Sequence, residues 1–266
     1  MKAKVLAIVG ASIIAGSSAQ ADETKPFSSL AVGVEFPYLS LNSNHGGGGE
    51  GSGGNAFFDD GFEDRVSYRL TATTDLLEEF GARIRFFDYD AGVGRDDGPD
   101  PSLFFQASFW DVEGTAHLDL GKWDLVASVG ARGGNIEWPD EDGGEGYEFD
   151  GFGFTTALDA RRAFSNGLAI VASVRHSQLF GDIEELNTPS DDNSNNVVPV
   201  TEFRAGVEYD HAVFPGGILT VGIHYETTLI SSLSGNVDSD IDPEDVDIGL
   251  MGPAFGIKLT VDPDKL

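Results

Sequence analysis

Strand-length segments of this chain alternate apolar and polar residues, and the arginines keep to the polar phase. In 201–212, Phe203, Val207 and Tyr209 stand at odd positions, while Glu202, Arg204, Glu208 and Asp210 stand at even ones. Successive side chains of a strand point to opposite faces, so one face is apolar and the other carries charges of both signs. The split recurs along the chain. Val66, Tyr68 and Leu70 oppose Arg65 and Arg69. Ile84 and Phe86 oppose Arg83 and Arg85. Trp110 and Val112 oppose Asp111 and Glu113, and Val129 and Ala131 oppose Arg132. Leu158 and Ala160 oppose Asp159 and Arg161, and Val174 opposes Arg175. Ile223 and Tyr225 oppose His224 and Glu226, and Ile257 and Leu259 oppose Lys258.

A soluble sandwich would bury the apolar face, whereas a membrane barrel turns it to lipid and points the polar face into its lumen. Alternation and turn signals predict ten strands, at 29–41, 62–74, 79–90, 103–119, 122–138, 147–164, 167–181, 198–213, 217–231 and 247–262. The connections alternate between long and tight. Those at 42–61, 91–102, 139–146, 182–197 and 232–246 are long and mostly acidic or Gly-rich; those at 75–78, 120–121, 165–166 and 214–216 are tight. Such segregation fits a meander whose two ends face different environments. The predicted fold is all-β: a transmembrane antiparallel up-and-down barrel of about ten strands, with long acidic extracellular loops and short periplasmic turns. A hairpin hidden in 42–61 or 182–197 would raise the count to twelve.

An arginine at the lipid midplane costs about 2–4 kcal/mol, so the polar phase is expected to face the lumen. The expected lining is Arg65, Arg69, Arg83, Arg85, Asp111, Glu113, Arg132, Asp159, Arg161, Arg175, Glu202, Arg204, Glu208, Glu226 and Lys258, with Glu35 and Asp210 on the same phase. Arg95 falls in a loop and Arg162 beside a tight turn. Ile136 and Trp138 share the polar phase after Gly133-Gly134, which predicts a bulge there. Phe80, Trp123 and Phe164 near tight turns, and Phe36, Phe180 and Trp138 near long loops, predict two interfacial aromatic girdles.

The first residues bear on compartment. Lys2 and Lys4, an apolar run over 5–15 and Ala19-Gln20-Ala21 predict a signal peptide cleaved after 21. A short periplasmic segment at 22–28, the barrel at 29–262 and a tail at 263–266 would follow, with the cell outer membrane of a Gram-negative cell as destination. The chain has no cysteine, which excludes disulfides, thiolate zinc sites and a lipid anchor on a cleavage-site cysteine. The formal charge of −29 becomes −31 once the two signal lysines are removed. Nucleic-acid binding needs a basic face and is excluded. The expected partners are outer-membrane lipid and lipopolysaccharide, with ions or small solutes passing through.

Catalytic and metal motifs are weak. His176 and Ser177 are neighbours on one strand and so point apart, which forbids a dyad. His224 and Glu226 share a face, as wet lumen lining does. Asp238, Asp240, Asp242 and Asp245 suggest at most weak divalent binding, because an EF-hand loop needs glycine at its sixth position and glutamate at its twelfth, where Pro243 and Gly249 stand. No metal or catalytic site is expected, so the chain is not read as an enzyme.

Several words in fixed order carry a resemblance: Phe80-Gly-Ala-Arg-Ile-Arg-Phe-Phe-Asp-Tyr-Asp90, Trp110-Asp-Val-Glu-Gly-Thr115, Trp123-Asp-Leu-Val-Ala-Ser-Val-Gly-Ala-Arg132, Phe149-Asp-Gly-Phe-Gly-Phe-Thr155, Arg175-His-Ser-Gln-Leu-Phe-Gly181 and Glu202-Phe-Arg-Ala-Gly-Val-Glu-Tyr209. Together they resemble the Legionella major-outer-membrane-protein-like family of pore-forming barrels. Phe154 departs from the proline expected there, and the chain ends in Leu266 without a terminal aromatic. The resemblance implies an outer-membrane channel with no cofactor and no catalytic residues. The expected function is porin-like diffusion of ions or small hydrophilic solutes, filtered by lumen Arg and Asp/Glu rings. The alternative is a closed structural barrel or adhesin acting through its acidic loops, since eight strands leave room only for side chains while sixteen leave a channel.

Overall fold

The computed structural model describes residues 29–43, 65–77, 79–92, 104–138, 147–185, 193–233 and 247–266. Ten strands make up nearly all of it. They are β1 (Ser29–Ser43), β2 (Arg65–Val66 and Tyr68–Asp75), β3 (Phe80–Gly92), β4 (Phe104–Leu120), β5 (Trp123–Trp138), β6 (Tyr147–Ala163), β7 (Leu168–Glu185), β8 (Asn193–Phe214), β9 (Gly217–Ile230) and β10 (Ile248–Val261). Each pairs antiparallel with its neighbour in sequence, and β10 pairs with β1 from Leu30↔Val261 to Ser43↔Ile248, which closes the cylinder. The count is ten. The break inside β2 has a local cause. Ser67 N donates to Pro37 O at 2.8 Å, and Pro37 has no N–H to return the bond.

The tight turns share one end with Ser29 and with the tail, a single turn of 3₁₀-helix at Pro263–Lys265. Gly121, Gly167 and Gly216 sit in these turns with φ of 74°, 85° and 78°, where a side chain would be strained. β7 and β8 run further toward the long-loop end than the sequence suggests: Asp182–Glu185 and Asn193–Val197 are strand, not loop. Alternation persists there, with Ile183 buried and Asp182 and Glu184 outside.

The outward face is apolar. Leu70, Ile84, Trp110, Val112, Val129, Phe152, Val207, Ile223 and Ile257 are all exposed. On β6 the outward residues from Phe152 to Arg162 span about 25 Å once strand tilt is allowed for, the height of an apolar band in an outer-membrane barrel. Beyond it, toward the long loops, the outward positions turn polar: Asp88 and Asp90 on β3, Asn135 on β5, Asp150 on β6, Asp182 and Glu184 on β7. At the tight-turn end the Arg162 guanidinium lies 5.8 Å from the Trp123 ring and 5.5 Å from Phe164, holding its charge at the band's edge among aromatics. Phe36, Phe80, Phe164 and Phe180 face outward as girdle residues do.

Candidate functional site: the lumen

All fifteen expected lining residues take the inward phase. They do not form separate rings of one sign, because the charges are paired, and several pairs span the lumen. At the centre, Arg132 on β5 donates to Asp111 on β4 from Nε at 2.5 Å and Nη2 at 3.0 Å, and crosses to Glu202 on β8 at 2.5 Å. Arg85 on β3 also donates to Glu202, at 2.9 Å, with its Nη1 3.3 Å from Asp111. Arg175 on β7 crosses to Glu113 on β4. Arg83 on β3 donates to Glu113 at 2.5 Å, to Asp159 on β6 at 2.6 Å and to Ser128 at 2.8 Å.

A second group joins Arg69 on β2 to Glu35 and Glu226, each at 2.8 Å, and Arg204 to Glu35. Nearer the tight turns, Arg161 holds Glu208 at 3.1 Å and Asp210 at 2.5 Å. Lys258 stands at this level, while Arg65 lies at the opposite end of β2. The inward side chains of Arg69, Asp111, Glu113, Arg132, Arg175 and Glu226 are all buried. Full charges are tolerated there because each guanidinium has a carboxylate partner; a lone buried charge costs several kcal/mol.

Above this belt, at the long-loop end, the lumen is apolar. Leu39, Phe105, Ile136, Phe149, Leu179, Val198, Val200, Ile230 and Leu250 are 0% exposed, and Phe87, Tyr89, Phe109, Trp138 and Ile248 pack among them. Nine of the ten strands contribute. The layer is built by alternating large and small side chains: Phe109 packs over Gly134, where an added Cβ would sit 2.7 Å from its ring. Two arginines of the belt stack on the layer's underside, Arg69 on Phe87 and Arg132 on Phe109, each 5.2 Å from the ring centroid.

This layer corrects two sequence expectations. β5 has no bulge at Gly133-Gly134: its register runs unbroken to β4 and to β6. Ile136 and Trp138 keep the polar phase because the lumen is apolar at that height. Trp138 is therefore no girdle residue; it is buried, its ring centroid 5.7 Å from that of Tyr147. The signal was present in the sequence. Several doublets toward this end are apolar on both phases, as in Phe86-Phe87, Phe104-Phe105 and Val197-Val198.

Below the belt a cavity of about 290 Å³ opens toward the tight turns, lined by charged residues and by His117, His224 and Lys258. As for catalysis, His176 Nδ1 contacts Thr201 Oγ1 at 3.0 Å on the outer face, while Ser177 is buried against Thr155 Oγ1 at 2.9 Å. The two point apart. Among the described residues no three His, Asp or Glu side chains converge as metal ligands. Asp238, Asp240, Asp242 and Asp245 lie outside the described residues.

A closed antiparallel cylinder, a lipid-facing apolar band and a charged interior define an outer-membrane β-barrel. Residues 143–261 match the family described as the Legionella pneumophila major outer membrane protein precursor, which is the family the sequence words resemble; the words from Phe149, Arg175 and Glu202 lie inside the matched stretch. The cell outer membrane is accordingly its location. No curated protein matches the chain. Solved structures similar to it include the outer membrane protease OmpT from Escherichia coli, with TM-score 0.44, 12% identity and coverage of 88% of this chain and 93% of that one. A Pseudomonas aeruginosa FadL homologue gives 0.36, 10%, 88% and 90%. The Pseudomonas putida toluene transporter TodX gives 0.34, 7%, 88% and 89%.

Proposed function

We propose that the barrel is closed to ions in the state described and serves as a membrane-embedded stand for its acidic loops, the structural or adhesin reading. One observation carries this: a cross-section of the lumen, contributed by nine strands, is filled by apolar side chains that are all buried, nine of them at 0% exposure. A water-filled porin keeps its interior polar and wet. The loop sequences fit a display role, being strongly acidic at 139–146 and 234–246. In this reading the band's partners are outer-membrane lipid and lipopolysaccharide. Purified protein in planar bilayers is expected to give no steady conductance; ohmic steps of reproducible size would overturn the proposal. Deleting 234–246 is expected to weaken attachment to host or neighbouring cells while leaving the folded barrel intact.

A second reading, a channel for ions or small hydrophilic solutes, is favoured by the charged belt. Apolar side chains would fill a purely structural lumen at no greater cost than buried ion pairs. The channel would open by displacing the apolar layer, so voltage-driven openings of the unmodified protein support it, and silence supports the closed stand.

A further inference from the structure

We propose that the cavity below the ion-pair belt is a binding site for a small oxyanion, a carboxylate or phosphate group, entering from the tight-turn side. The wall formed by β9, β10 and β1 is hollowed there. Gly222, Gly256 and Gly33 line it on the inward phase, paired as Gly222↔Gly256 and Gly33↔Lys258. Three groups around this hollow have donor capacity to spare. Lys258 has no carboxylate within ion-pair distance among the described residues. Among the described residues Arg204 donates to Glu35 through Nη1 alone. His224 is only 4% exposed; its Nε2 lies 3.7 Å from Glu208, within ion-pair distance but longer than a hydrogen bond, and neither ring nitrogen has a hydrogen-bond partner among the described residues.

The acceptors of the same cavity are in use. Glu35, Asp159, Glu202, Glu208 and Glu226 are each held by an arginine, and Asp124 stands exposed at the rim. What the cavity leaves unanswered is therefore donors, which is the chemistry that takes an anion. Buried polar groups without partners cost free energy, so an occupant that accepts from His224 and Lys258 is stabilised by both.

The site does not depend on whether the barrel conducts, and binding is read on the full chain in detergent, without current. Inorganic phosphate or acetate is titrated against protein with ¹⁵N-labelled histidine. One ring is expected to shift with saturation, and His224→Gln is expected to remove that signal. Lys258→Gln is expected to weaken binding about tenfold, with Lys258→Arg retaining it and Lys265→Gln, in the exposed tail, leaving it unchanged. No shift, an equal shift with chloride at matched ionic strength, or indifference to both Lys258 variants would overturn the proposal and leave water as the occupant.

Discussion

Arg132 and Arg161 are both lumen arginines with two carboxylate partners, but they stand in different surroundings. Arg132 is 1% exposed, gripped by Asp111 and Glu202 beneath an aromatic ring. Arg161 is 27% exposed beside Glu208 and Asp210 at the open end. Removing a buried partner leaves uncompensated carboxylates in a low-dielectric interior, at a cost of about 3–5 kcal/mol. Breaking a solvated pair costs roughly 0–1 kcal/mol. Arg132→Met is thus expected to lower stability several-fold more than Arg161→Met, measured by urea unfolding in lipid vesicles. Equal effects would mean that water reaches the central belt, which is also what an open pore requires.

At the scale of the strand, β5 is the instructive case. Its lower half was legible from the sequence: Ser128 and Arg132 on one phase, Val129 and Ala131 on the other. Its upper half was not, because a two-residue period states which residues share a face but not what that face meets. Ile136 and Trp138 break the polar rule and predict a bulge, whereas it is the environment that changes and not the register. Strand positions, topology and the lumen charges were readable because lipid makes alternation strict. The partners of those charges were not, because Arg132–Glu202 and Arg175–Glu113 join strands that are not neighbours, and no local spacing encodes a contact across a cylinder. A direct check is Gly134→Val. The added side chain would meet Phe109 at 2.7 Å and Leu179 at 2.9 Å, and overpacking of this kind costs about 1–3 kcal/mol. A bulged β5 with Gly134 facing lipid would tolerate the same change with little loss in the same unfolding measurement.

The wall of the cylinder meets three environments, acyl chains, membrane interface and filled lumen, and its three tryptophans sample them. Trp110 is outward and 45% exposed, its ring centroid 5.8 Å from that of Phe152, toward the long-loop edge of the apolar band. Trp123 begins β5 beside Arg162 at the tight-turn interface. Trp138 is inside, in the apolar layer, 4% exposed. Variants that keep one tryptophan each, with phenylalanine at the other two positions, can be reconstituted in vesicles of lipid brominated along its acyl chains. Trp110 is expected to be quenched by bromine, since its ring faces the acyl chains. Trp123 is expected to respond both to bromine and to aqueous acrylamide, as interfacial aromatics do. Trp138 is expected to resist both, because neither lipid nor water reaches a filled lumen. A soluble β-protein would invert the first result, with Trp110 blind to lipid, and an open channel would invert the last, with Trp138 quenched by acrylamide. One set of three proteins therefore tests both the direction of the apolar face and the closure of the lumen, and the two answers are independent because they come from different residues on opposite faces of the same wall.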